Sequence, residues 1–319
     1  MDHRQLKHFV AVVEHGNMLR AAKTIHVTQP ALSKSIRALE THLGVRLLNR
    51  SPRGVSPTVY GRQLLTHAKL ILNQTRHAED DLRAITEGTG GQMRIGFGAH
   101  IAGFMLPDAI LQIVEARPNL TAQIVSKPFD ELLPMLRSGE IDLAIVVFPP
   151  DPPEEDLVYE PLVVNEFRTV CRPDHPLAAR GKAGLRELTE HKWILFDRPK
   201  AMETLFQTRF TDEGLEPPRP VITTSSVHFL KAALHRGDYL SFVPPGLVYD
   251  ELQQKSLVSI EADMPPIITR AGLVYRADDI QPTSNQELMD KLSHMSAEFD
   301  LSAKMNKTRT GKTAKGHER

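Results

Sequence analysis

The stretch from Arg20 to Glu40, RAAKTIHVTQPALSKSIRALE, leaves the backbone little choice. A helical pattern breaks at residues 26–28 and restarts at once with a proline. Thr28 suits an N-cap, because its hydroxyl can accept from a backbone N–H of the first turn. Pro30 then falls in that turn, where its missing N–H costs no intrahelical bond. Leu32, Ile36, Leu39 and Leu43 follow at spacings of four, three and four, which is one apolar stripe. Upstream, Leu6, Phe9, Val10 and Val13 form another. Asn17 can cap an intervening helix carrying Ala21, Ala22 and Ile25, whose alanines allow helices to approach closely. Val27 can plug the short turn. Three short helices with a tight second connection follow the helix-turn-helix plan, in which the second helix of the pair lies in the DNA major groove.

The polar residues fit that plan. Gln29, Ser33 and Arg37 share a face of the second helix, with Pro30 and Lys34 beside them. A glutamine can bond adenine in a bidentate manner, and arginine or lysine can do so at guanine. Small residues such as Pro30 and Ser33 let the backbone come near the bases, and Ser33 and Thr28 can reach phosphates, which fix register without reading sequence. Arg20, on the preceding helix, is a further candidate. Next comes VRLLNRSPRGVSPT: apolar Val45, Leu47 and Leu48, then a basic turn with Arg50, Pro52, Arg53 and Gly54. It reads as a wing whose arginines can lie along phosphates or in the minor groove. The net charge of the chain is zero, yet Met1–Gly61 holds nine basic residues against three acidic ones, Asp2, Glu14 and Glu40. A basic head on a more acidic body suits a nucleic-acid-binding module. Each feature alone also fits an exposed polar helix face and a charged loop.

In this order, the paired alanines, TQPALSKSIRALE and GVRLLNRSPRGV resemble the LysR-type transcriptional regulators. The resemblance covers the first sixty residues closely and the remainder by architecture. Met18-Leu19 departs from the family's usual aromatic and small polar pair, and Leu48 replaces a usual phenylalanine in the wing.

From Tyr60 to Thr86 the only helix-breaking residue is Gly61. Leu64, Ala68, Ile71, Thr75, Ala78, Leu82 and Ile85 alternate spacings of four and three, a heptad seam flanked by Lys69, Gln74, Arg76, Glu79, Asp80 and Arg83. A coiled-coil dimer is expected, with a lone amphipathic helix packed on its own domain as the alternative. Such a pair would set two heads on half-sites ~34 Å apart. The run ends in EGTGGQ, a flexible boundary.

Beyond Gly91, strands and helices alternate. MRIGF, TAQIVS, DLAIVVF, FRTVC, KWILF, PVITTS, LSFVP, LVSIE and RAGLVY read as strands. Residues 105–116, 130–137, 201–212, 227–236 and 285–301 read as helices. The pattern means α/β units with mostly parallel sheets, which bind ligands at the carboxyl ends of strands. The resemblance implies a periplasmic-binding-protein-like effector domain of two α/β subdomains with a cleft between them. The expected plan is therefore α+β and multidomain: a winged helix-turn-helix over 1–59, a linker helix over 60–89 and an effector domain over 90–301. Its first subdomain takes 92–163 plus 266–301, its second 164–265, and 302–319 is a basic tail of disordered composition. Two helix starts are expected to line the cleft, at Gly98, Ala99, His100 and Ile101 and at Thr224, Ser225 and Ser226. Free N–H groups and the positive dipole end suit a carboxylate or other anion. The family's usual hydroxyl at the first start is replaced by Ala99 and His100, so His100 could make effector binding sensitive to pH; a surface histidine and ordinary N-caps are the plain readings. Ser126 and Phe148, at two strand ends, are weaker candidates, and Phe196 reads as core.

Other chemistries fail on their motifs. Gly311-Lys312-Thr313 lacks the upstream glycine of a phosphate loop, since Asn306 stands there, and Gly96-Phe97-Gly98 lacks the third glycine of a dinucleotide fingerprint, where Ile101 stands. Asn73-Gln74-Thr75 is a glycosylation triplet on a helix and carries no weight. The single cysteine, Cys171, excludes an intrachain disulfide. No catalytic set, metal cluster or cofactor is expected, and no run nears the ~18 apolar residues of a membrane span. With no secretory signal at the start, a cytoplasmic protein is expected. The expected function is a sequence-specific regulator that binds a partly palindromic duplex as a homodimer, or as the homotetramer that the resemblance implies, modulated by a small molecule. The resemblance adds RNA polymerase as a partner. The competing reading is a cytoplasmic solute-binding or enzymatic α/β protein with a basic N-terminal arm.

Overall fold

The structure is a computed structural model, which describes residues 1–52, 54–87, 91–98, 105–149, 152, 155–196, 200–263, 266–278 and 281–297. These gather into two compact units. One holds Met1–Ile95, Arg117–Gln123 and Asp130–Asp142, and the other holds Gly96–Ala116, Ile124–Phe129 and the chain from Leu143 onward.

The first unit opens with α1 (His3–His15), α2 (Met18–Thr24) and α3 (Gln29–Leu43). Their caps are the ones the sequence offers. Asn17 accepts from the N–H groups of Leu19 and Arg20, and Thr28 from that of Ala31 at 3.4 Å. Phe9, Val12, Ala21, Leu32, Ile36 and Leu39 are fully buried in one core. Truncating one such leucine to alanine costs ~2–5 kcal/mol. Leu43, expected on the same stripe, is 36% exposed at the helix end.

A hairpin follows, of β1 (Leu48–Ser51) and β2 (Gly54–Pro57), antiparallel, with Arg50 opposite Val55. Val55 donates its N–H to the carbonyl of Gly16, tying the hairpin to the end of α1. The long helix α4 (Val59–Glu87) starts where Thr58 both donates to the Arg46 carbonyl and accepts from the Gly61 N–H. Here the helix nearly touches the chain entering β1: a Cβ on Gly61 would overlap the Leu47 carbonyl oxygen. The expected heptad seam divides along α4. Ala68 is buried in the head core and Leu64 packs on it, as do Leu65 and Leu72, which lie off the seam. Ile71, Thr75, Ala78 and Leu82 face outward.

Beyond α4 come β3 (Gln92–Phe97), α5 (Leu106–Ala116), β4 (Thr121–Ser126), α6 (Phe129–Arg137), β5 (Leu143–Phe148) and β6 (Leu157–Glu166). Then follow β7 (Arg168–Cys171), β8 (Lys182–Ala183), α7 (Leu185–Leu188), β9 (Lys192–Phe196) and α8 (Lys200–Thr211). The remainder is β10 (Pro220–Thr224), α9 (Val227–Arg236), β11 (Tyr239–Val243), α10 (Tyr249–Gln253), β12 (Val258–Ala262), β13 (Ile268–Arg276) and α11 (283–297). Two sheets result, five strands in the order β4-β3-β5-β13-β6 and six in the order β10-β9-β11-β7-β12-β8.

The sheets are mixed, where mostly parallel ones were expected. Strand β13 runs antiparallel to both β5 and β6, and β7 antiparallel to β11 and β12. Strand β6 was not expected at all. Its burial does not alternate, it contains Pro161, and it shifts register against β13 between Ala271 and Gly272.

Because backbone lies where its side chain would be, Gly61→Ala is expected to destabilise the head by ~1–3 kcal/mol, as an overpacked site does. Chemical denaturation of the full chain, followed by the fluorescence of a probe placed in the head, measures it. A loss within a few tenths of a kcal/mol of zero would show that α4 does not need this close approach.

Candidate nucleic-acid interface and effector site

Gln29 and Pro30 occupy the first positions of α3, and Thr28, Gln29, Pro30, Lys34 and Arg37 are all exposed. Ser33 is half-buried among them. Arg37 donates from Nε to the Ser33 carbonyl at 3.4 Å, one turn back on its own helix. Arg50, on β1, points its Nη1 at the Ser33 hydroxyl at 3.5 Å. Hairpin and helix therefore present their cations on one continuous face. Arg20 is exposed near the start of α2. Arg53 lies outside the described residues.

Two interactions hold that face in shape. The Glu40 carboxylate, near the end of α3, accepts from the backbone N–H groups of Leu47 and Leu48 at 2.9 and 3.2 Å, charge-assisted bonds stronger than neutral ones. They fix where β1 leaves the helix. On the inner side, His8 of α1 shares a 2.8 Å hydrogen bond with Ser35 of α3. Sequence reasoning assigned neither residue a part. Glu40 stood as the last residue of the TQPALSKSIRALE motif and as one of three acids in a basic head, with no role attached, and no periodicity singles out a buried histidine.

His8 has its pKa lowered, first by burial and then by the nearby charge of Arg4, with Asp2 opposing.

The effector candidates fall on the two sheets. At the carboxyl edge of the five-stranded sheet, Gly98 donates its N–H to the Ile145 carbonyl and Lys127 donates to that of Phe97. The ends of β3, β4 and β5 thus lie together, with Gly98 half-buried and Ser126 exposed. Phe148 is only 7% exposed and packs edge-to-face on Tyr159 at 5.3 Å. That makes it more a wall than a contact residue. Ala99, His100 and Ile101 lie outside the described residues.

On the six-stranded sheet, Thr224 ends β10 opposite Phe196 of β9. Its hydroxyl accepts from the Ser226 N–H, and the Ser226 hydroxyl accepts from that of Phe229, capping α9. Both are engaged by backbone. Ser225 stands exposed between them, with its hydroxyl open to a ligand.

Elsewhere, a recess of about 530 Å³ opens beside Arg186, Glu190 and the turn Gly214–Arg219. Its Arg219 is paired with its own Glu216 at 3.2 Å, and none of the candidates lines it. Cys171 is fully buried, and burial first, then Asp238, pushes its thiol up to about 12 against the pull of Arg172. Such a thiol is inert at neutral pH. Among the described residues no three metal-ligating side chains gather, and no helix is long and apolar enough to cross a membrane.

Two family profiles match the chain. Residues 3–62 match the bacterial regulatory helix-turn-helix protein, lysR family, and residues 86–296 match the LysR substrate binding domain. The SDS degradation transcriptional activation protein of Pseudomonas sp. (strain ATCC 19151) is 31% identical over 279 residues, covering 86% of this chain and 90% of its own. A full-length OxyR variant from Pseudomonas aeruginosa superposes with a TM-score of 0.64 at 23% identity, over 92% of this chain and 94% of that one. Full-length CbnR complexed with its target DNA gives 0.63 at 24%, over 93% and 100%.

The lowered His8 pKa fixes a sign. The fold holds the neutral ring, while an unfolded chain takes up a proton below about pH 6.5. Stability contributed by His8 is therefore constant above that pH and falls as the pH drops below it. The expected result is a steeper loss of thermal stability between about pH 6.5 and 5 in the wild type than in His8→Gln. Parallel curves would show that the ring titrates as freely in the fold as outside it.

Proposed function

This chain belongs to the LysR family of DNA-binding transcriptional regulators, non-enzymatic proteins with an effector-binding domain, and from that premise we propose how its own residues read DNA and sense a ligand. Helix α3 lies in the major groove with Gln29 and Arg37 toward base edges and Pro30 allowing close approach. Thr28, Ser33, Lys34 and Arg20 hold phosphates, and the hairpin's Arg50 and Arg53 follow the backbone into the next groove. The observation that carries this reading is the Arg50–Ser33 contact, which sets wing and helix on one exposed face.

The reading head is 1–59, the linker 60–89 and the sensing domain 90–301. Two copies associate along α4. The outward seam of Ile71, Thr75, Ala78 and Leu82, with Ile71 41% and Leu82 65% exposed, supports this, since a lone helix would leave it in water. Two heads then take a partly palindromic site; membership of the family supports pairs of dimers and contact with RNA polymerase. The effector is a small anion held by Ser225 and Ser126, in a cleft whose first wall is Phe148. The support is a hydroxyl left open at each of two strand ends. The competing reading, a solute-binding protein or enzyme with a basic arm, is set aside by the match over residues 3–62.

Binding of the full chain to duplexes selected from a random pool is expected to weaken steeply with salt, as phosphate contacts release counterions. Gln29→Ala and Arg37→Ala are expected to lose ~1–3 kcal/mol of discrimination between selected and random duplex. Lys34→Ala should weaken both alike. Equal weakening by all three would confine Gln29 and Arg37 to phosphate contacts.

A thermal-shift screen of short carboxylates, aromatic acids and alkyl sulfates tests the sensing site, the last chosen for the relative named for SDS degradation. A ligand present at ~100 times its Kd stabilises by about 2.7 kcal/mol. Ser225→Ala is expected to cut the shift by at least half. An undiminished shift would place the anion elsewhere.

A further inference from the structure

Helix α4 carries a second stripe on the side away from its apolar seam. Lys69, Asn73, His77 and Asp80 follow one another at spacings of four, four and three. At about 100° per residue they stand roughly half a turn around the helix from Ile71, Thr75, Ala78 and Leu82. In sequence they look like a solvated flank. In the first compact unit they are instead occupied, all four by the same neighbour.

That neighbour is the connection Ser138–Asp142, between α6 and β5, together with Arg94 of β3. Asn73 donates from Nδ2 to the Ser138 carbonyl at 2.7 Å. His77 Nδ1 lies 3.6 Å from Asp142 Oδ1, with both side chains buried. Arg94, buried as well, reaches Asp142 at 3.8 Å from one Nη and Asp80 at 3.2 Å from the other. Gly139 adopts a φ of +69°, and a Cβ there would press on Leu70 and Asn73 at 3.1 and 3.4 Å. The connection lies against the helix, and glycine takes this left-handed φ without strain at its point of near approach.

Lys69 extends the stripe to the reading head. Its Nζ sits 2.9 Å from Glu14 at the end of α1 and 3.4 Å from Glu140, whose carboxylate also accepts from the Ser138 hydroxyl. Burial alone would lower the pKa of this ammonium, but the two carboxylates together raise it, so the cation is held between them. One side chain thus joins the head, the linker and the connection into β5. Strand β5 is buried along almost its whole length and ends at Phe148, a run of about 20 Å at ~3.3 Å per residue.

We propose that the stripe Lys69–Asn73–His77–Asp80 is a latch: docked on Ser138–Asp142 it fixes the direction in which α4 carries the reading head, and so the spacing of the two half-sites a dimer accepts. The inference rests on the reading of the chain as a dimeric DNA-binding regulator. Docking by polar contacts suits a device that must also open. The part-exposed pairs of Lys69 with Glu14 and Glu140 can be replaced by water, while the buried Arg94–Asp142 group keeps the connection itself in shape.

The test is selection of duplexes from a random pool by the full chain, comparing wild type with Asn73→Ala/Glu140→Gln and with Glu140→Lys, which sets a cation against Lys69. None of these positions is among those proposed to touch DNA. The wild type is expected to enrich two half-sites at one spacing. Both variants are expected to enrich the same half-site sequence, with the share of duplexes at other spacings raised at least fivefold. An unchanged spacing distribution in either variant overturns the latch and leaves the DNA-reading proposal standing. Loss of half-site enrichment in both variants also overturns it, since the head would then need these residues directly. Failure of the wild-type chain to enrich any sequence overturns both.

Discussion

A single carboxylate sets the junction between the recognition helix and the hairpin. Glu40 accepts two backbone N–H groups at the point where the chain turns from α3 into β1. That grip sets the angle at which the hairpin leaves the helix, and with it the approach of Arg50 to Ser33. Two further bonds complete the proposed DNA face: Thr58 ties the hairpin's far end back to Arg46, and Val55 ties its middle to Gly16. An acid in a basic head thus works as a joint, with its charge directed at backbone donors.

The same division of labour governs α4. The helix has more functions than faces to spare, so it divides them by azimuth. Its first turns complete the head core through Ala68, Leu64 and Leu72. One later face is apolar and open, and the opposite face is polar and covered. This inverts the usual amphipathic arrangement, in which the apolar stripe is buried and the charged one meets water. The open apolar stripe is the face proposed to take a second copy, and the covered polar stripe is the one proposed as the latch.

Much of this was readable from the chain. Asn17 and Thr28 cap as their side chains dictate, and Leu32, Ile36 and Leu39 are buried as their spacing requires, because local hydrogen bonding and helical period are properties of neighbouring residues. What stayed hidden depends on partners distant in sequence. Strand β6 has no alternation because it bulges against β13. Asn73 belongs to a triplet that reads as an accident, and its amide meets a carbonyl 65 residues away. Phe148 ends its strand as expected, yet Tyr159 claims its ring. Thr224 and Ser226 carry the hydroxyls expected at a helix start, but only the structure separates the two held by backbone from Ser225 between them.

The chain's one cysteine is sealed in the six-stranded sheet with a thiol that scarcely ionises at neutral pH. The native protein is therefore a silent background for sulfhydryl chemistry. A cysteine introduced on the wing or on either side of the linker would react alone with a dye or spin label, so distances between two subunits can be followed without first removing anything.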